Sequence, residues 1–361
     1  MRAENAVDFW RGVALVMIFI NHVPGNVFSY YTLRNYAISD AAELFVFLAG
    51  WSLSFVAGAP DKRVTVTGLW FRLWSRAFVI YQAQLCISLI ALAILAVSAI
   101  SRSNPLFLEW LNSGAAFYDP PRAYIGLALL TYQLSYFNIL PLYVALLLLA
   151  PPMIGLALWS KRGALAASFT LYVVALATGL RLPSWPSEDQ WYFNPLCWQV
   201  LLVLGFVAAE LRTNAKYLEI VRRSVPFAIA VLIAGAAATL LQFHPDPASV
   251  PRPRAFFLFD KTFLSPARLI SLIALIVAFH GVFSYIIEWV RYFPGFLCSL
   301  GRNSLPVFCV GSLLALVGQI LRFIIDGGLK IDIAIVVSGL VMMGLTAWFA
   351  EGRSRHSGAR R

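Results

Sequence analysis

Apolar runs about as long as a bilayer core is thick recur along the chain, and they constrain its fold more than any motif does. A hydrocarbon core takes roughly 20 consecutive apolar residues of helix to cross, and only a helix or a closed barrel can satisfy its backbone there without water. Hydrophobic residues fill 60% of the 361 positions and charged residues only 12%, so such runs form again and again. Strand-like alternation is weak, and the runs exceed the ~9–11 residues of a barrel strand. The expected fold is therefore all-α: a polytopic transmembrane helical bundle of about ten spans, at 9–27, 40–58, 75–100, 137–158, 164–181, 195–211, 225–243, 265–288, 304–325 and 331–350. Nothing is left over for a separate soluble domain, so residues 1–361 read as a single integral membrane domain. The first span is too long and too charged for a cleaved signal peptide and is expected to stay in the mature protein.

Orientation follows from where the cations fall. With the N-terminus in the cytoplasm, the inner segments hold 18 of the 28 Lys and Arg residues, including Arg2, Arg11, Lys62, Arg63, Arg72, Arg76, Arg291, Arg302, Arg360 and Arg361. The positive-inside rule then places both termini in the cytoplasm. The same bias, facing anionic headgroups of membrane lipids, accounts for the net charge of +11 without any nucleic acid partner. The four cysteines stand in or beside apolar runs with no CxxC spacing, which excludes a disulfide framework and leaves no metal expected.

Three ionisable residues interrupt the first run, DFWRGVALVMIFINH at 8–22, where each is costly inside a bilayer. Arg11 and His22 are eleven positions apart, which on a helix is three turns plus ~20° and a rise of ~16.5 Å, so they share a face half a membrane apart. Asp8 lies three residues before Arg11 and can pair with it, as a structural partner that lowers the cost of the cation. An arginine near a helix end also serves as a snorkelling anchor, and an intramembrane histidine as a helix-to-helix hydrogen-bond partner. The second run adds Asp40 and Glu43 at the end to which His22 points, in the spacing of a capping box. A capped carboxylate is also a well-oriented one, and a histidine beside a carboxylate is the usual equipment for taking a proton from a hydroxyl. His22, Glu43 and Asp40 are the expected catalytic residues.

Arg11 and His22 resemble the arginine, ten residues, histidine motif of the membrane-bound acyltransferase-3 superfamily. The wording DFWRG, IFINH, AELFVFLAG, YFNILPLY, FNPLCWQ, DKTFLSPARL and LGRNSLPVF, in that order through most of the chain, resembles the OpgC family. That resemblance implies a multi-pass protein of the bacterial inner membrane that moves succinyl from cytoplasmic succinyl-CoA to an osmoregulated periplasmic glucan, and it implies a homodimer. Acyl-CoA would be a co-substrate, and a pantetheine arm is of the order of the ~16.5 Å between Arg11 and His22.

Donor cations are then expected at Arg11, at Arg72 and Arg76 on one helix face, and at Arg302, which with Asn303, Ser304 and Pro306 offers a cation, a cap and a helix start for phosphate. The acceptor side is expected in PSWPSEDQWYFNPLCW at 183–198, with Trp191 and Trp198 to stack on sugar rings and Asn138 and Asn194 to bond hydroxyls. Aromatics also gather at membrane interfaces for unrelated reasons. Two other functions fit the same residues: O-acetyl transfer to another envelope glycan, and glycan transport or export along an intramembrane path of Asp8, Arg11, His22 and Glu43.

Overall fold

A computed structural model describes residues 5–57, 66–186, 191–241, 260–289 and 293–358. Outside them lie Arg2, Lys62, Arg63, Arg291, Arg360 and Arg361 of the inner cations, residues 187–190 of the aromatic loop, and the ends of two expected spans at 58 and 242–243.

Among the described residues the regular structure is helical. The helices are α1 (Ala6–Asn21), α2 (Ala41–Ala57), α3 (Val66–Ser101), α4 (Gly114–Tyr118), α5 (Pro120–Ala128), α6 (Ile139–Trp159), α7 (Lys161–Thr178), α8 (Pro195–Leu211), α9 (Ala215–Leu240), α10 (Pro266–Ala278), α11 (Val282–Trp289), α12 (Phe293–Arg302), α13 (Ser304–Ile324) and α14 (Leu329–Gly358). Short 3-10 turns at Val27–Tyr31, Leu33–Asn35 and Pro105–Asn112 join them. Asparagine and serine start several: Asn5 accepts from Asp8 N at 3.0 Å, Ser160 from Gly163 N at 3.0 Å, and Asn194 from Leu196 N at 3.1 Å with Pro195 in the first turn.

Five of these helices, α3, α6, α9, α13 and α14, are long and apolar enough to cross a membrane; α10 and α11, bent by 52° at their break, have the composition of a broken span or of a re-entrant loop, and bring the count to six if the pair is one span. The other expected runs also form helices, at α1, α2, α7 and α8, but these are short, 16 to 18 residues each. The first run, expected to be helical to 27, stops at Asn21 because Pro24 follows and Gly25 takes φ +76°, a left-handed conformation that suits glycine. The eighth run breaks at Gly281 for the same reason, with φ +85°.

The chain divides into two compact units, interleaved in sequence: Met1–Leu48, Thr213–Phe243 and Ile270–Arg361 form the first, and Ala49–Arg212 and His244–Leu269 the second. In the first, α1 packs against α12, α13 and α14. Glycine makes this approach close enough for backbone contact: a Cβ on Gly12 would strike the carbonyl of Leu297, and one on Gly301 the carbonyl of Asp8. With lipid as solvent, such small-residue packing takes the place of a hydrophobic driving force. Gly339 and Gly344 of α14 receive the rings of Phe19 and Phe296, so this small-residue face is filled from within the unit.

In the second unit α3 packs on α6, and α6 on α7 and α8. Buried Ser168 and Gln199 tie α7 to α8, the hydroxyl donating to Gln199 Oε1 at 2.6 Å and the Gln199 amide to Ser168 O at 2.8 Å. Tyr172 of α7 donates to Leu264 O at 2.7 Å, holding the turn that precedes α10.

Candidate functional site

Unit 1 keeps five of the ionisable candidates among apolar helices. Asn5 orders the first pair, since its amide donates to Asp8 Oδ2 at 2.6 Å while its oxygen caps the helix. Arg11, one turn on, stands 3.8 Å from Asp8 Oδ1, with both side chains about nine-tenths buried. Its guanidinium also donates to Leu48 O at 3.1 Å and Gly301 O at 3.5 Å. Arg11 thus bridges carbonyls of α2 and α12 as well as pairing with Asp8.

His22 follows the last residue of α1 and caps it, its N–H donating to Ile18 O at 3.0 Å. The chain beyond it is gripped by α13 and α14. Gln319 donates its amide to His22 O, Arg322 donates to Pro24 O at 3.3 Å and to Asp332 Oδ1 at 2.8 Å, and fully buried Asp332 accepts from Val27 N at 2.9 Å. These three residues were not foreseen. Each looks like an ordinary helix-end polar residue, and only the fold carries them to the chain around His22.

Asp40 and Glu43 form the expected capping box at the start of α2: Asp40 Oδ1 accepts from Ala42 N at 2.9 Å, and Glu43 Oε2 accepts from Asp40 N at 3.0 Å. Glu43 is wholly buried and Asp40 nearly so. A buried carboxylate with its oxygen fixed by a backbone N–H has a defined direction, which a proton-handling group needs.

The other donor candidates separate by environment. At Arg302, the Nε and Nη2 groups donate to Glu351 Oε1 at 3.0 and 2.9 Å, and Ser299 Oγ and Asn303 Nδ2 converge on the same oxygen at 3.1 and 3.4 Å. Asn303 precedes α13, which begins at Ser304, but its side chain makes no capping bond there. The four donors around this site already surround a carboxylate of the chain. Arg72 and Arg76 of α3 are exposed. They belong to unit 2, whereas Arg11 and Arg302 belong to unit 1.

The acceptor candidates also divide. Asn194 and Trp198 are buried and structural: Asn194 caps α8 and donates to Leu180 O at 2.7 Å, while the Trp198 indole donates to Lys261 O at 2.8 Å. Asn138 and Trp191 line one cavity of about 320 Å³ within unit 2, with Asn112, Gln133, Ser135 and Thr262. The Trp191 ring is pinned by its indole donating to Pro183 O at 3.1 Å, and Gln133 by donating to Leu130 O at 3.0 Å. Asn138 stands at the start of α6 without a side-chain bond to the helix. Tyr132 donates to the carbonyl of Asn112, a residue of this wall; burial pushes its phenol up to about 12, with a backbone hydrogen bond from Ala116 opposing the rise and Glu109 adding to it, so it remains a donor. Most of this lining went unpredicted, because neutral amides and hydroxyls between helices carry no sequence signature of their own.

Five or six apolar helices, in a fold that is helical throughout the described residues, define a helical membrane protein. The chain belongs to the OpgC family: the family described as OpgC protein matches residues 3–355, nearly the whole length. It is accordingly a glucan-modifying acyltransferase. No curated protein and no solved structure matches the chain significantly.

Proposed function

We propose that the protein, as a member of the acyltransferase-3 superfamily in the bacterial inner membrane, transfers succinyl from cytoplasmic succinyl-CoA to hydroxyl groups of a periplasmic glucan. The observation that carries this reading is the set Asp8, Arg11, His22, Asp40 and Glu43, kept inside one unit of a chain otherwise poor in charge. His22 is the general base. It accepts the proton of a sugar hydroxyl as that oxygen attacks the thioester carbonyl; the carbon–sulfur bond then breaks, and the imidazolium returns the proton to the departing thiolate, leaving ester and free CoA. Glu43, directed by the Asp40 capping box, stabilises the imidazolium.

The donor phosphates are taken by Arg72 and Arg76, which are exposed on α3. Arg302 is engaged by Glu351 and is left out of the donor set. Arg11, already bonded to two carbonyls, acts where the thioester arm passes α1. Asn138 and Trp191 hold the acceptor. Acyl transfer through a histidine-bound intermediate is chemically open to the same residues, and single-turnover labelling with donor alone separates the two routes. The function is tested by mass spectrometry of periplasmic glucan from cells with and without the protein. The expected difference is a substituent of succinic acid less water; a difference of acetic acid less water makes the enzyme an acetyltransferase, and none removes the reading.

A further inference from the structure

We infer that the unit 2 cavity is a subsite for neutral saccharide that discriminates against an acylated, anionic glycan; the second half of this inference rests on the succinyl reading above. Every described side chain on its wall is an amide, a hydroxyl or an aromatic ring, with no carboxylate and no cation. Amides and hydroxyls offer both donors and acceptors, matching a sugar hydroxyl that is itself both. Trp191 and Tyr192 add aromatic surface for the apolar face of a ring, and Trp191 is held in place by its own hydrogen bond. At about 320 Å³ the cavity stands at the small end of the ~300–1,000 Å³ of small-molecule sites, which suits a short stretch of glycan.

Charge decides what the cavity refuses. A carboxylate brought in would lose hydration and find no cation among the described lining residues in return, and the same holds for the phosphates of an acyl-CoA. An unsubstituted glucan is therefore bound and its succinylated product is released, so that occupancy favours sugars not yet modified.

The test is calorimetric binding of cellotetraose and laminaritetraose to the purified full chain, beside the same tetraoses carrying one succinyl ester. At least one neutral tetraose is expected to bind, and its succinylated form to bind at least about tenfold more weakly. Asn138→Ala and Gln133→Ala should each weaken the neutral ligand about fivefold to tenfold, the loss of one hydrogen bond, without altering acyl-CoA binding. Trp191→Phe, which keeps a ring while removing the indole bond, guards against a result due to loop collapse. The inference is overturned if folded protein binds neither tetraose, if Asn138→Ala and Gln133→Ala bind as the parent does, or if the succinylated form binds equally well. Should glucan succinylation be established and this binding pattern fail, the function stands without the subsite. Should the pattern hold in a protein that acylates nothing, the subsite stands without the function.

Discussion

His22 and Arg11 lie along one stretch of chain and should fail in different ways. His22→Ala removes the base and should lower turnover by about 10²–10⁴-fold with donor affinity kept, since nothing at the inner end of α1 changes. Glu43→Gln should be milder and should shift the pH–rate profile, the expected result of the proposed stabilisation of the imidazolium by Glu43. Acyl transfer measured on folded, purified variants checks both; wild-type turnover in His22→Ala rules out its role as base. Arg11→Ala should weaken the donor and also destabilise the protein by about 1–3 kcal/mol, because Leu48 O and Gly301 O each lose a buried donor. Lysine there restores charge but not the planar bridge between two carbonyls, so Arg11→Lys should recover donor affinity more than thermal stability. The charges on α1 were visible in the sequence because any ionisable group in an apolar run stands out against its neighbours. Arg322 and Asp332, which hold the chain after His22, were not, because each lies at a helix end where charge is ordinary and their pairing depends on the turn between α13 and α14.

At the scale of elements, α1 and α12 show what a helix pair needs without water to drive it together. Gly12 and Gly301 let backbone meet backbone, and this register sets Gly301 O within reach of Arg11. Gly301→Ala should therefore cost about 1–3 kcal/mol, the usual penalty of overpacking, and lower activity by moving Arg11 off its carbonyl. Gly155 in α6 is the contrast, because a methyl group added there would meet nothing within 4 Å. Gly155→Ala should be neutral or stabilise by up to about 1 kcal/mol through helix propensity. Thermal unfolding in one detergent, read for both variants, compares them directly; equal losses would mean that the α1–α12 contact has no special place. The ten apolar runs announced ten helices or broken helices because hydropathy is a local property. Where they end was less legible: Pro24 and Gly25 stop α1 early and Gly281 bends the eighth run, and in each case one backbone conformation outweighs the apolar side chains around it.

For the whole molecule, the number of crossings is a question of parity. The five helices long and apolar enough to cross alone would put the two ends of the chain on opposite sides; counting the bent α10–α11 pair as a sixth, or all ten runs, puts them on the same side. The helices in dispute, α1, α2, α7 and α8, span only ~24–27 Å at 1.5 Å per residue, short of a ~30 Å core. A short helix can still cross where neighbours shield its ends or the bilayer thins, at a cost of fractions of a kcal/mol per ångström. Two observations favour crossing: α2 and α8 are strongly apolar, and α1 carries its arginine where α12 and α2 supply carbonyls for it. On the positive-inside rule, the cationic bias predicts that both ends face the cytoplasm. Single cysteines placed at Ala3 and at Ser357, in a chain whose native cysteines are serine, should resist a membrane-impermeant thiol reagent in intact spheroplasts and react once the membrane is opened. A cysteine at Tyr30, exposed in the segment that follows His22, should react from outside without opening. Labelling of one end alone from outside would require an odd number of crossings and would overturn the ten-span reading.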